Sequence, residues 1–378
     1  MSKQERGPLG FGTMRLPVTE NGAVDIEAFE SMADMFIERG YTYFDTSYVY
    51  MGGKSEEAVR RAVVERHPRD SFTIATKLPQ FSVTSEQDFG RFFNEQLANC
   101  GVDCFDYYLI HAVTNQTYDN SIEKFHLFEQ ALEEKRAGRI KRLGFSFHDS
   151  PQFLDQVLTE HPEVDFVQII INYFDWDSLF IASKACYEVI RKHGKDVVVM
   201  EPVKGGLLAN LPEDAERRLR EVHPDWSDAS WALRFAMSFE GVIAVLPGMS
   251  TLEQVDDNTA SLEDFTPLTA DEKDLLFSIA RELRESGPAK TSDFSAFDAE
   301  GPSGMPVAAI VDAYNAMMIQ GGAGAELNYY FEWRYRNGIF GKGSIIDGMT
   351  FTATDGSDIT SLVQDADKMQ RENALGAV

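Results

Sequence analysis

Cysteine is scarce in this 378-residue chain: three are present, Cys100, Cys104 and Cys186, and none follows Cys186. Three thiols at that spacing supply neither a disulfide framework nor a tetrahedral metal site, so they read as small apolar residues in a reducing compartment. No run of about 18 apolar residues occurs, which argues against a membrane-spanning helix. The N-terminal stretch MSKQERGPLGF lacks the apolar core of a secretory signal, so the expected location is the cytoplasm. Basic residues are outnumbered: 35 Lys and Arg stand against 61 Asp and Glu, a formal net charge of -26. Such a field repels polyphosphate, and neither nucleic acid nor a membrane is expected as a partner.

What the chain does have is core material. Hydrophobic residues make up 43% and aromatics 12%, which excludes disorder along the whole length. From residue 9 to about residue 265, short β-branched or aromatic runs alternate with longer helical patterns. Eight strand candidates result: Leu9 to Gly12, Thr42 to Asp45, Phe72 to Thr76, Asp106 to Ile110, Ile140 to Phe145, Phe166 to Ile170, Val197 to Met200 and Val242 to Leu246. Helical stretches such as Ile26 to Arg39, Glu56 to Arg66, Glu86 to Cys100, Ser121 to Ala137 and Leu179 to Lys192 lie between them. Thr84 with Gln87 forms a capping-box pattern, and Gly40, Gly138 and Gly194 are helix-stop signals. A doubly wound sheet is expected to carry a glycine-rich fingerprint after its first strand, but the turn here reads GFGTMRLP and does not fit G-x-G-x-x-G. Eight units without the fingerprint point to an α/β fold of the (β/α)8 TIM-barrel type.

The length exceeds a barrel of about 250 residues, so an appendage is expected. LTADEKDLLFSIARELRES predicts a helix capped by Thr269 and Glu272, and a glycine- and proline-bearing stretch from Gly287 to Pro306 follows. The reading is a barrel over residues 1–285 and a mostly helical extension over 286–378. Tyr329, Tyr330, Phe331, Trp333 and Tyr335 are the residues expected to anchor that extension by burial.

Functional groups of such a barrel project from the C-terminal ends of its strands. Four polar residues stand there: Asp45 in YTYFDTSYVY with Tyr50 five residues on, Lys77 in IATKLP, and His111 in YYLIH. Taken singly, each has a plainer reading, Tyr50 as a packed loop aromatic, Lys77 as a solvated cap and His111 as a buried core histidine. Together they make one proton-transfer device. A tyrosine hydroxyl near pKa 10 is a poor acid at neutral pH, and a nearby ammonium stabilises its phenolate. Asp45 would keep Lys77 charged and in place, and His111 would orient a substrate carbonyl or donate to its developing oxyanion.

With these residues in order, the chain resembles the aldo-keto reductase family over most of residues 8 to 265. GFGTMRLP, GYTYFDTSYVYMGGKSEEAVRRAV, IATKLP, GVDCFDYYLIH, GRIKRLGFSFH, VQIIINYFDW, VVVMEPVKGG and VLPGMSTLEQVDDN are similar to the family's successive strand-end blocks. The resemblance implies that Asp45, Tyr50, Lys77 and His111 are the catalytic tetrad, with Tyr50 as general acid in reduction and general base in the reverse direction. It implies NADPH as cofactor, with NADH as the alternative, and a small-molecule carbonyl or alcohol as substrate. By that analogy Gly12, Thr13 and Met14 lie under the cofactor, and Ser146 and Gln168 bind the carboxamide. Met200 forms a wall where relatives place an aromatic, Pro202, Val203, Lys204, Gly205 and Gly206 flank the pyrophosphate, and Gly248, Ser250, Gln254 and Asn258 belong to the adenosine phosphate site.

The departures are also specific. Phe147 stands where the family often has Asn, with His148 as the substitute contact, and STLEQVDDN contains no basic residue, which leaves Lys204 as the candidate charge for the phosphate. The tail resembles a ferredoxin-like domain found in one subgroup: GPSGMPVAAIVDAYN keeps the turn and helix of its cluster-binding unit but no cysteine. Cluster ligands are thiolates, so no iron-sulfur cluster is expected. The leading reading is therefore an NADP(H)-dependent enzyme. One alternative is a nucleotide-sensing regulatory protein on the same fold, and a weaker one is a redox partner of an electron carrier.

Overall fold

The computed structural model describes residues 6–287, 307–320, 348–352, 358–365 and Lys368. Eight parallel strands run in sequential order: β1 (Gly10–Gly12), β2 (Tyr43–Asp45), β3 (Thr73–Leu78), β4 (Phe105–Val113), β5 (Ile140–Phe147), β6 (Phe166–Ile170), β7 (Asp196–Met200) and β8 (Val242–Leu246). β1 and β8 meet through bridges from Leu9 to Val245 and from Gly12 to Gly248. Val245 N donates to Pro8 O at 2.7 Å and Gly12 N to Pro247 O at 3.2 Å, which closes the sheet. The fold is the (β/α)8 barrel that the alternation predicts. Among the described residues no helix is long and apolar enough to cross a membrane.

Alternation along each strand divides the core in two. Inside the barrel, Tyr43, Ala75, Leu109, Phe166, Val198, Ala244 and Leu246 pack together. Outside it, Phe11 and Phe44 meet Phe29 and Phe36 of the helix Ile26–Glu38, with ring centroids 5.3 to 5.7 Å apart. All four rings are fully buried, and such burial contributes about 1.5 to 3 kcal/mol each.

Local chemistry moves several element ends away from the sequence expectation. The helix expected to open on a Thr84–Gln87 capping box starts at Gln87, and it is Asp88 that reaches back to cap. Asp88 Oδ2 accepts from Thr84 N and Oγ1 at 2.9 Å and from Ser85 N at 3.0 Å, because a short carboxylate in the first turn reaches these donors directly. These bonds and the Arg91 guanidinium hold its carboxyl well below the usual range. The stretch expected as one helix from Ser121 is split: a π-helical segment covers Tyr118–Glu123, and the α-helix Leu127–Arg136 begins after His126, whose φ of 53° interrupts regular winding. Ala182 at φ 56° likewise delays the next helix to Ser183. The three predicted glycine stops hold, with φ of 81°, 78° and 68° at Gly40, Gly138 and Gly194.

The chain divides into two compact units, residues 1–172 with 185–268, and residues 173–184 with 269–378. In the second unit the helix Ala270–Glu285 carries the predicted capping box of Thr269 and Glu272. A further helix covers Val307–Gln320, where Asp312 accepts from Ser178 Oγ at 2.5 Å and Asn315 Nδ2 donates to Arg284 O at 2.8 Å. Arg284 also donates to the carbonyl of Phe174. Tyr329, Tyr330, Phe331, Trp333 and Tyr335, and the GPSGMP turn, lie outside the described residues.

Gly144 on β5 allows β5 and β6 to pair closely. A Cβ there would lie 2.6 Å from the Phe166 carbonyl oxygen, which the sheet holds in place. Gly144→Ala should therefore destabilise the barrel by about 1 to 3 kcal/mol, the usual scale of overpacking, and lower the Tm by several degrees. An unchanged thermal melt would contradict this account.

Candidate active site

The site starts from a charge problem at the ends of β2 and β3. Lys77 is fully buried and Asp45 nearly so, and neither ion is tolerable there alone. Lys77 Nζ donates to Asp45 Oδ1 at 2.5 Å and to the Thr46 carbonyl at 2.9 Å. Burial works against the ammonium, but the Asp45 carboxylate and the Tyr50 hydroxyl more than offset it, so the Lys77 pKa lies above its ordinary value. Burial pushes the Asp45 carboxyl up, with the Lys77 charge and the Lys77 and Gln168 hydrogen bonds opposing. The 2.5 Å contact has the geometry of an ion pair.

Tyr50 reaches this pair through a strained turn. It opens the short helical segment Tyr50–Gly53, in which Met51 and Gly52 have φ of 53° and 63°, and Gly53 follows at 82°. Three successive left-handed residues fold the chain back, and Lys77 Nζ lies 4.7 Å from the centre of the Tyr50 ring. A cation–π contact therefore links Lys77 and Tyr50, and the Tyr50 hydroxyl is among the groups that raise the Lys77 pKa.

His111 lies inside β4, not at its end as the pattern suggests. The register of β4 against β5 shifts between Ile110 and Val113, and Ala112 has φ 53°, so a bulge extends the strand beyond the histidine. Three side chains hold the bulge. Ser146 Oγ accepts from Ala112 N at 2.7 Å, and Ala112 O accepts from Gln80 Nε2 and Thr117 Oγ1, each at 3.4 Å. The His111 ring stands 5.9 Å from that of Tyr50 at 79°, and Ser47 Oγ lies 3.3 Å from its Nδ1. Burial, then the Lys77 charge, then His148 push its pKa well below the ordinary imidazole value. His111 is thus a neutral donor or acceptor beside a permanent cation.

The other sequence candidates fall into two groups. Thr13 and Gln168 bond directly to Asp45, and Ser146 to the residue after His111: Thr13 Oγ1 donates to Asp45 O at 2.8 Å, Gln168 Nε2 to Asp45 Oδ2 at 3.4 Å, and Ser146 Oγ accepts from Ala112 N. Gln168 is buried, and its Oε1 has no hydrogen-bond partner among the described residues. The second group lines the ends of β1, β7 and β8. Gly12 pairs with Gly248, Met14 is exposed, and Met200 ends β7. Pro202 and Val203 lead into a turn in which Lys204, Gly205 and Gly206 have φ of 46°, 62° and 97°. Ser250 N donates to Gln254 Oε1 at 2.7 Å, and Asn258 is buried on the helix Leu252–Ala260.

The structure also brings in residues that the sequence did not single out. Lys204 is buried, whereas Arg15 is exposed and runs along Gly248: a Cβ on Gly248 would meet Arg15 Cδ at 3.2 Å. Ser250 Oγ donates to the Arg15 carbonyl at 2.9 Å. The cation alongside the β8 end therefore comes from the short 3-10 turn Thr13–Arg15 that follows β1, a juxtaposition that exists only once the barrel closes. Behind Lys77, the buried residues Ser55, Glu56 and Gln96 form a second polar layer. No titratable group of three or more His, Cys, Asp or Glu is placed to hold a metal among the described residues.

A profile described as the Aldo/keto reductase family matches residues 8–281. The uncharacterized oxidoreductase YqkF of Bacillus subtilis is 26% identical over 281 residues, 66% of this chain and 85% of that protein. An aldo-keto reductase from Bacillus halodurans, in its holo form, superposes with a TM-score of 0.57 at 27% identity, covering 72% of this chain and 92% of that one. An aldo-keto reductase from Klebsiella pneumoniae, in complex with NADPH, gives a TM-score of 0.57 at 20% identity over 72% of this chain and 90% of that one.

The depressed pKa of His111 has a direct spectroscopic consequence. In the folded protein its ring proton resonances should not titrate between about pH 6 and 8, whereas an exposed histidine shows a midpoint near 6.5. Site-assigned NMR of the wild type against His111→Gln measures this, and a midpoint near 6.5 would sink the neutral assignment.

Proposed function

The chain belongs to the aldo/keto reductase family, and from that premise we propose that it reduces an aldehyde or ketone with NADPH, and oxidises the alcohol in reverse, with Tyr50 as general acid and base. The observation that carries this reading is the buried Lys77 ammonium, fixed by Asp45 at 2.5 Å and set against the Tyr50 ring at 4.7 Å. A phenol donates its proton only as readily as its phenolate is stabilised, and a fully desolvated cation within reach stabilises it strongly. Asp45 keeps that cation charged and aimed. Neutral His111 adds a second hydrogen bond to the carbonyl oxygen without competing for the proton that Tyr50 delivers.

The remaining candidates suit a nicotinamide nucleotide. The unpartnered Gln168 Oε1 is a buried acceptor suited to a carboxamide N–H, and Ser146, already accepting from Ala112, has its hydroxyl proton to donate. Gly12 and Gly248 keep the backbone bare at the closure of the barrel, and the left-handed turn through Lys204, Gly205 and Gly206 offers main chain to phosphate oxygens. Met14, Met200, Pro202 and Val203 supply apolar walls. When bound, the nucleotide supplies the hydride. The NADPH named for the Klebsiella pneumoniae enzyme supports the same cofactor here.

Tyr50→Phe should cut kcat for carbonyl reduction by at least about 100-fold, the scale of a lost general acid, while NADPH affinity stays near that of the wild type. Turnover within a few-fold of wild type would remove Tyr50 from its role.

Arg15 is the residue we assign to the adenosine 2′-phosphate, because it lies against Gly248 and is bonded through its carbonyl to Ser250. Its exposure weakens the contact below that of a desolvated pair, so Arg15→Gln should weaken NADPH binding about 5- to 10-fold and leave NADH binding unchanged. Fluorescence titration with both nucleotides reads the ratio, and an unaltered preference would return the selectivity to Ser250, Gln254 and Asn258.

A further inference from the structure

We propose that the dipeptide Ser55–Glu56 is the positioning unit that fixes Lys77 for proton transfer, with Glu56 as a positioning residue acting through Thr76 and Gln96. This inference rests on the catalytic reading given above and concerns how its geometry is held. The two residues open the helix Ser55–Val59, directly after the left-handed turn that follows Tyr50, and both are buried.

Ser55 grips the strand ends on the Asp45 side. Its Oγ lies 2.6 Å from Thr13 Oγ1, accepts from Thr46 Oγ1 at 2.8 Å and lies 3.2 Å from Thr13 O. Thr13 in turn donates to the Asp45 carbonyl, and the Thr46 carbonyl is the second acceptor of the Lys77 ammonium. Glu56 grips β3 from the opposite face. Its Oε1 accepts from Thr76 Oγ1 at 2.6 Å and Gln96 Nε2 at 2.8 Å, and its Oε2 accepts from Asn99 Nδ2 at 3.0 Å. Gln96 Nε2 also donates to the Lys77 carbonyl at 3.0 Å, and Gln96 Oε1 accepts from Tyr108 OH at 2.7 Å. Successive side chains on a strand point to opposite faces, so fixing Thr76 from outside fixes the direction in which Lys77 projects inward.

A buried carboxylate needs a reason. Glu56 forms no ion pair among the described residues, and burying it costs more than an apolar side chain of similar size would. Burial pushes its pKa up, opposed first by the hydrogen bonds from Thr76, Asn99 and Gln96 and then by the Lys77 charge. What the site requires is an acceptor that satisfies three fixed donors at once, and two oxygens on one rigid plane provide it. A glutamine meets the same demand once Asn99 turns its amide oxygen toward the new amino group.

Purified full-length variants test this with three readouts: kcat and KM for carbonyl reduction, NADPH dissociation by fluorescence, and thermal melting. Glu56→Ala, assayed well below its own Tm, should lose about 10- to 100-fold in kcat with KM and NADPH affinity little changed, as expected when a catalytic group shifts out of line. Glu56→Gln should restore kcat to within about 3-fold of wild type. A purely structural role would lower the melting temperature of Glu56→Ala and leave kcat of the folded protein intact, and that result overturns the proposal, as does a Glu56→Gln enzyme as impaired as the alanine variant. Should Glu56→Ala not fold, Gln96→Met removes the bonds to the Lys77 carbonyl and to Glu56, and the same kcat loss is expected; wild-type kcat there is equally fatal. Tyr50→Phe measured alongside separates the two claims. An inactive Tyr50→Phe with a fully active Glu56→Ala refutes the positioning role alone, whereas an active Tyr50→Phe refutes the catalytic reading and this inference with it.

Discussion

The buried Lys77–Asp45 pair is the constraint from which the rest of the site follows. An ammonium inside a barrel is intolerable unless a carboxylate and further acceptors surround it, and here Asp45, the Thr46 carbonyl and the Tyr50 hydroxyl do so. Each acceptor must then be held rigidly, because an ion pair that relaxes toward water loses both its stability and its effect on the tyrosine. That demand accounts for an otherwise unusual density of buried polar side chains around the first three strands: Thr13, Thr46, Ser55, Glu56, Thr76 and Gln96 are all fully or almost fully buried. Most barrels fill such positions with branched aliphatics.

Barrel closure is the second determinant. Residues at the ends of β1 and β8 come from opposite ends of the unit, yet Gly12 and Gly248 pair, and Arg15 packs along Gly248. On a chain with a net charge of -26, a nucleotide bearing several phosphates is repelled at long range and must be captured locally. One exposed arginine and a run of left-handed backbone at the end of β7 are local features of that kind. Gln168, whose buried Oε1 finds no hydrogen-bond partner among the described residues, adds a polar anchor beside Asp45.

The strands were legible in the sequence because they are local, and the four candidates Asp45, Tyr50, Lys77 and His111 do come together in the barrel. A β-branched run states its own strand, and Asp45, Lys77 and His111 sit at or beside strand ends that the alternation marks. Cap chemistry was legible where the pattern matched the first turn, as at Thr269 and Glu272, and misread at Thr84, where Asp88 one residue further on has the better reach. Helix interruptions at His126 and Ala182 were invisible, since neither residue type announces a positive φ. Arg15 and Glu56 were missed for a different reason: each acts on residues remote in the chain, and SEE or TMR carries no periodicity that reveals its partners. Only the assembled barrel makes them neighbours.

The division of charge between Lys77 and His111 explains why both are present. Two cations so close would repel each other, and the same ammonium that favours a Tyr50 phenolate also drives the imidazole toward its neutral form. Burial disfavours the charged form of both, and their partners separate them: Lys77 has a carboxylate at 2.5 Å, while His111 faces a serine hydroxyl at 3.3 Å and no carboxylate pairs with it among the described residues. One group is thus pushed toward its cationic form and the other toward its neutral form. A neutral imidazole can hydrogen-bond a carbonyl oxygen without handing it a proton, which in the proposed mechanism leaves delivery to Tyr50. The bulge at Ala112 belongs to the same logic. An unkinked β4 would carry its register to Val113 unchanged and alter the presentation of His111 beside Tyr50, so the strain of a left-handed alanine, about 1 to 2 kcal/mol, is offset by the bonds from Ser146, Gln80 and Thr117 that hold the imidazole in place.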